Sequence, residues 1–169
     1  MSKEIGVIKL KKIITVTLLV ILLIPILSVA GCGVKVEDED LTGVYSQTFE
    51  ALMTEDEGLN SDIEFIAIDT SNFYGLYDIE DILESLKKYN ENTIEATFEE
   101  LKAQGEFDEE KMVLDGALLK ISKIETKLNK LVVEASKYRS GTGAIGMEFE
   151  FRKSEAGWEL TNSKGLWIS

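Results

Sequence analysis

The sequence predicts an α+β fold, with N-terminal helices packed on a C-terminal antiparallel sheet of about four or five strands. Three observations carry that expectation. Apolar residues recur at helical spacing in three stretches between residues 41 and 104. From Val113 onward the period changes to two, and short polar links cut the chain into strand-length pieces. Helices first and a meander last is the order in which helices cover one side of an antiparallel sheet.

Leu41, Val44, Tyr45, Thr48 and Leu52, with Phe49 beside them, predict an amphipathic helix over about residues 42–54. Glu55-Asp56-Glu57-Gly58 ends it, with Gly58 as the stop. Ile63 to Ile68 is apolar on both faces except at Glu64, which predicts a covered strand broken by Asp69-Thr70-Ser71-Asn72. The loop that follows gathers Phe73, Tyr74 and Tyr77 around Gly75. Such a loop either contacts a partner or, more commonly, packs over a sheet edge.

Ile79, Ile82, Leu83, Leu86 and Tyr89 form the clearest helical stripe, with Asp78 as N-cap and Lys87-Lys88 at the negative end of the helix. A further helix is predicted over Thr93–Gln104: Asn92 and Glu95 have the capping-box offset, and Gly105 supplies the exit. Ala117–Glu125, Leu131–Tyr138, Ala144–Arg152 and Trp158–Asn162 are the strand candidates, the last resuming at Leu166-Trp167-Ile168. Leu128-Asn129-Lys130 and Ser154-Glu155-Ala156-Gly157 read as hairpin turns. Ile145, Met147, Phe149 and Phe151 alternate with Glu148, Glu150 and Arg152, so one face of that strand is buried and the other wet.

Ahead of this domain, Lys3, Lys9, Lys11 and Lys12 precede an uncharged apolar run from Ile13 to Val29. A basic region, an apolar core and small residues are the order of a signal peptide. The run is close to the lower limit for spanning a bilayer, so a transmembrane helix is the alternative. Val29-Ala30-Gly31-Cys32 resembles the lipobox of bacterial lipoproteins. The resemblance implies a diacylglyceryl thioether on Cys32 and cleavage between Gly31 and Cys32. It also implies residence at the outer face of the cytoplasmic membrane, held there by lipid. Two acyl chains make such attachment stable where one is marginal. The chain then divides into a lipoprotein signal peptide (1–31), an acidic tether (32–40) and a single α+β domain (41–169). The tether's four consecutive acids, Glu37 to Asp40, lack the alternating spacing of a calcium loop and read as a solvated spacer.

The 169 residues include 18 basic and 31 acidic side chains. Residues 1–31 hold four lysines and one glutamate, leaving 138 residues with a net charge of −16. That length suits one domain with a sizeable core, and that charge repels nucleic acid. Cys32 is the only cysteine and there is no histidine. A disulfide framework, thiol catalysis, Ser-His-Asp chemistry and most transition-metal sites are thereby excluded, so neither cofactor nor metal is expected. An enzyme would have to run on carboxylates, Lys or Tyr. The i, i+2 pair Glu148 and Glu150 is the obvious candidate, yet a glycosidase pair needs a cleft and one raised pKa.

The most unusual stretch is Ser136, Lys137, Tyr138, Arg139, Ser140, Gly141, Thr142 and Gly143, which concentrates hydroxyls, two cations and two glycines in an acidic domain. One reading is a binding loop whose backbone N–H groups form a nest for phosphate or carboxylate. The other is a link between strands whose cations pair with neighbouring acids. It does not match a phosphate-binding P-loop, since the lysine precedes the glycines. Trp158 and Trp167 suit stacking on a ligand or, more often, core and edge cover.

The element order over residues 41–169 resembles the cystatin-like and NTF2-like folds, with early helices and a curved antiparallel sheet. The Ser-Lys-Tyr-Arg-Ser-Gly stretch and the Gly-Trp ending resemble small surface lipoproteins of low-GC Gram-positive bacteria, a likeness that implies no activity. The expected function is non-catalytic: a surface lipoprotein that binds a protein partner or small ligand through its sheet face and the Ser136–Gly143 loop. An accessory or solute-binding lipoprotein of a transporter is the alternative, and a carboxylate hydrolase is disfavoured.

Overall fold

The computed structural model describes residues 38–127 and 129–169. The lipobox, the apolar run before it, the tether as far as Glu37, and Leu128 lie outside the described residues. The first helix, α1 (Thr42–Thr54), buries Val44, Tyr45, Thr48, Phe49, Leu52 and Met53 on the stripe the spacing predicts. It ends on an extended Glu55 and a left-handed Asp56 (φ 47°), and a 3₁₀ turn, Glu57–Asn60, follows. Aspartate tolerates that backbone better than most residues, so the helix stops before Gly58 is reached.

Strand β1 (Ile66–Asp69) is buried at all four positions. Helix α2 (Ile79–Leu86) starts where predicted, with the Asp78 carboxylate accepting from the N–H groups of Glu80 and Asp81. The predicted helix over Thr93–Gln104 is split. Its first residues form β2 (Thr93–Glu95), parallel to β1, and only Phe98–Gln104 forms the helix α3. Two capping-box offsets compete in this stretch, and the one made by Thr97 and Glu100 forms instead of Asn92 and Glu95. The edge of β1 decides between them. Ile66 donates to the Asn92 carbonyl at 2.9 Å and Ala96 donates to the Ile68 carbonyl at 3.1 Å, so β2 supplies the partners a buried strand requires.

The remaining strands are β3 (Phe107–Asp108), β4 (Val113–Lys127), β5 (Lys130–Ser140), β6 (Gly143–Ser154) and β7 (Gly157–Ile168). The sheet has seven strands in the order β2-β1-β4-β5-β6-β7, with β3 paired to the start of β4. It is larger than the four or five strands expected and it is mixed, because β1 runs parallel to both β2 and β4. The two- and three-residue strands are too short to show a period of two in the sequence. The break expected after Asn162 is absent: β7 runs on through two bulges, with Thr161 and Leu166 out of register with β6.

Helices also cover both faces, where one was expected. On one face α1 and α2 enclose the larger core with Ile66, Ile68, Leu119, Ile121, Leu131, Val133, Met147, Phe149 and Phe151. On the other, α3 sets Phe98 and Leu101 against Phe65, Ala67, Leu114 and Leu118. Gly116 makes this second layer possible. A Cβ there would lie 2.4 Å from the Phe65 ring, so only glycine lets the ring lie flat on β4.

The cap that starts α3 is testable. Thr97→Ala is expected to lower stability by about 1 kcal/mol, and Asn92→Ala by clearly less. The measurement is the urea midpoint at unchanged slope.

Candidate functional site

The stretch singled out by composition folds as the second half of β5 and a two-residue turn, Gly141-Thr142, into β6. Its residues are divided between the two faces of the sheet. Lys137 follows Leu131, Val133 and Ala135 onto the α1 face, and its side chain is fully buried. Its ammonium donates to the Glu55 carbonyl at 2.5 Å, to Asn60 Oδ1 at 2.9 Å and to the Asp56 carbonyl at 3.2 Å. Three donors thus meet three acceptors. Asn60 in turn donates to the Met53 carbonyl at 2.6 Å, one of the carbonyls left unpaired where α1 ends. Burial pulls the Lys137 pKa down to about 8, against the opposing pull of Asp56, Glu55 and Glu57.

Arg139 extends the same anchor, its guanidinium donating to the Ser61 carbonyl and, at 3.4 Å, to that of Leu59. Tyr138 points the other way, edge-on to Phe98 at 5.8 Å beneath α3, where burial pushes its phenol up. Ser136 stands opposite Lys120 and Gly146 on the sheet. At the turn, the Gly141 N–H donates to the Met112 carbonyl at 3.0 Å. Gly143 packs closely: a Cβ on it would lie 2.7 Å from Ser140 Oγ and 3.1 Å from Leu59 Cδ2. No residue from Ser136 to Gly143 has the left-handed φ that an anion nest alternates with right-handed residues. The cations hold the end of α1 to the sheet.

This anchor forms one side of a cleft. A cavity of about 240 Å³ opens between Glu55 and Asp56 and the end of the sheet, lined by Ile145, Met147, Ser163, Trp167 and Ile168 among others. Ile168 is 82 % exposed and Trp167 49 %, large values for side chains of this type. The Trp167 indole is fixed by contact with Gly146, its partner on β6, where a Cβ would stand 2.2 Å from the ring. That contact puts the indole on the face away from α1, while Ile168, opposite Ile145, shares the α1 face with Met147. The result is an apolar wall of Ile145, Met147 and Ile168 across from Glu55 and Asp56. Sequence reasoning missed Glu55 and Asp56, since their meeting with β7 depends on Lys137. Its signal for the other wall was Leu166-Trp167-Ile168, three successive apolar residues where a half-wet strand should alternate.

Trp158 is buried at the other end of β7, with the Lys153 ammonium 5.5 Å from its ring centre. Glu150 accepts from Lys130 at 2.7 Å, which holds its carboxyl below the usual range, the reverse of what a general acid needs. Asp69 is buried beside Lys120 at 2.7 Å. Burial pushes its carboxyl up, but the bonds from Lys120 and Ser71 outweigh that and hold it low. Among the described residues no group of three His, Cys, Asp or Glu side chains is placed to hold a metal ion. Among them, too, no helix is long and apolar enough to cross a membrane.

The chain matches no known family model and no curated protein sequence. Among solved structures it is similar to a de novo designed protein with a curved β-sheet, at 12% identity and a TM-score of 0.29, over 73% of this chain and 96% of that one.

The buried ammonium sets a pH dependence. A lysine whose folded pKa (about 8) lies below its unfolded value (10.5) binds fewer protons folded than unfolded between those limits. Stability therefore rises with pH across that window, by about 2 kcal/mol between pH 8 and 10. Urea unfolding across that range should show the rise in the native chain and its loss in Lys137→Met.

Proposed function

We propose that this chain is a membrane-anchored extracytoplasmic lipoprotein that works by binding rather than catalysis, taking a protein partner or small ligand in the cleft between the end of α1 and strands β6 and β7. The observation that carries the reading is the exposure of Ile168, beside Ile145 and Met147, on a cleft bounded by Glu55 and Asp56. An apolar wall with convergent polar groups is the usual form of a ligand site. Apolar side chains opposite carboxylates suit a ligand with an apolar body and a cationic group, such as a peptide side chain. The bulges at Thr161 and Leu166 interrupt the free edge of β7, which favours recognition by cleft side chains over strand addition. The lipobox Val29-Ala30-Gly31-Cys32 supports the anchor, and the lack of histidine and of any other cysteine supports binding over chemistry. The long antiparallel run β4–β7 against α1 supports the cystatin-like or NTF2-like likeness in element order; parallel β1 and β2 stand outside it.

Two experiments test this. Cys32→Ser should move the protein from the membrane to the soluble fraction, and mass spectrometry of the native form should find diacylglycerol on Cys32. With residues 33–169 as bait, Ile168→Asp should weaken capture of the partner at least about tenfold, as loss of an anchor residue in a binding pocket does. Unchanged capture would place the site elsewhere.

A further inference from the structure

A second exposed apolar cluster lies far from the cleft, on the loop between β1 and α2. Tyr74, Leu76 and Tyr77 are 56, 62 and 41 % exposed. The loop that carries them is rigidly built. Phe73 stacks on Tyr45 with ring centres 3.9 Å apart, and Tyr77 meets Phe73 edge-on at 5.0 Å. The Tyr45 hydroxyl donates to the Tyr74 carbonyl and accepts from the Tyr74 N–H, both at 2.8 Å. Gly75 turns the chain at φ 70°. A loop this well fixed normally turns its aromatic residues inward, so outward-facing Tyr74 and Leu76 call for a partner.

Position in the fold says which partner. Leu41 donates to the Leu76 carbonyl at 2.8 Å, and Leu76 donates to the Glu39 carbonyl at 2.9 Å. The knuckle is therefore bonded to the residues through which the tether enters the domain. Only five residues separate Cys32 from Asp38, a reach of at most about 20 Å. The 11- and 12-residue strands β5 and β6 span roughly 40 Å. A chain held by lipid at Cys32 must keep this pole beside the bilayer, while the Gly141-Thr142 turn and the cleft sit at the far one. Glu39 and Asp40 lie beside the knuckle and Asp78 follows it. Glu39 pairs with Lys153, Asp40 accepts from Thr42, and Asp78 caps α2. Lys127, Lys130 and Arg152 lie in one row across the same pole. Acids predominate beside the knuckle itself, with Asp38, Glu39, Asp40, Asp78, Glu80 and Asp81 flanking it, so an uncharged bilayer surface suits it better than an anionic one. Tyrosines with an aliphatic neighbour are the side chains that settle at a membrane interface.

We propose that the Tyr74–Tyr77 knuckle rests in the interfacial layer of the bilayer to which the chain is tethered, holding the domain upright with its cleft turned outward. This inference rests on the lipoprotein reading of Cys32. Each contact is weak alone, and a short tether raises the effective concentration of the surface to about millimolar.

The test uses the processed full chain in phosphatidylcholine vesicles. With Cys32 occupied by lipid, Leu76→Cys or Thr142→Cys supplies a single reactive thiol for a polarity-sensitive fluorophore. The label at 76 should be quenched by nitroxide lipids about threefold more than the label at 142, and adding Tyr74→Ser should at least halve the difference. Equal, water-like signals at both positions on protein whose Cys32 carries lipid would overturn the docking and leave the anchor standing. Protection of position 76 only when a protein partner is added would also overturn it. A Cys32 found free of lipid by mass spectrometry would remove the anchor, and the docking with it.

Discussion

A single buried lysine ties the end of the first helix to the sheet. Lys137 reaches from the middle of the sheet to the carbonyls beyond α1 and takes all three of its bonds from the Glu55–Asn60 segment. A buried charge is tolerable only when every donor is met, and here two carbonyls just beyond the negative end of α1 and the Asn60 amide oxygen supply what is needed. The same contact fixes where α1 ends, how the 3₁₀ turn lies, and where Glu55 and Asp56 stand.

The sheet is organised around the same division of labour. Its α1 face is continuous apolar packing from Leu131 to Phe151, and its other face is sealed by α3 only over β1 and the first part of β4. Beyond that cover the strands carry charged side chains in short-range pairs, such as Lys130 with Glu150 and Lys123 with Glu134. Half-exposed pairs of this kind add little stability and mainly keep the face solvated. Apolar exposure is concentrated instead at the two poles, in Trp167 and Ile168 at one and in Tyr74 and Leu76 at the other.

Legibility followed the length scale of each feature. The α1 and α2 stripes, the cap at Asp78 and the four long strands repeat over enough residues for periodicity to reveal them. Strand β2 was hidden because Thr93-Ile94-Glu95 satisfies a helical frame as well as an extended one, and the hydrogen-bonding need of β1 settles the matter. In the Ser136–Gly143 stretch the unusual composition was visible, while its meaning was not. Lys137 and Arg139 read as free cations until Glu55 and Ser61, about 80 residues away in the chain, are brought against them.

The sequence alone determined the composition of the domain and the chemistry closed to it. One cysteine behind an apolar run, no histidine and a net charge of −13 follow from residue identity, and folding cannot alter them. Only the tertiary structure decided which of the remaining groups are available. Lys137 was the most ligand-like side chain in the sequence, and burial against the end of α1 makes it a structural bolt. Glu55 and Asp56 meet Ile168 in a cleft because the end of α1 packs against the end of a strand more than a hundred residues later. Local pattern records what a residue prefers, and long-range packing assigns what it touches.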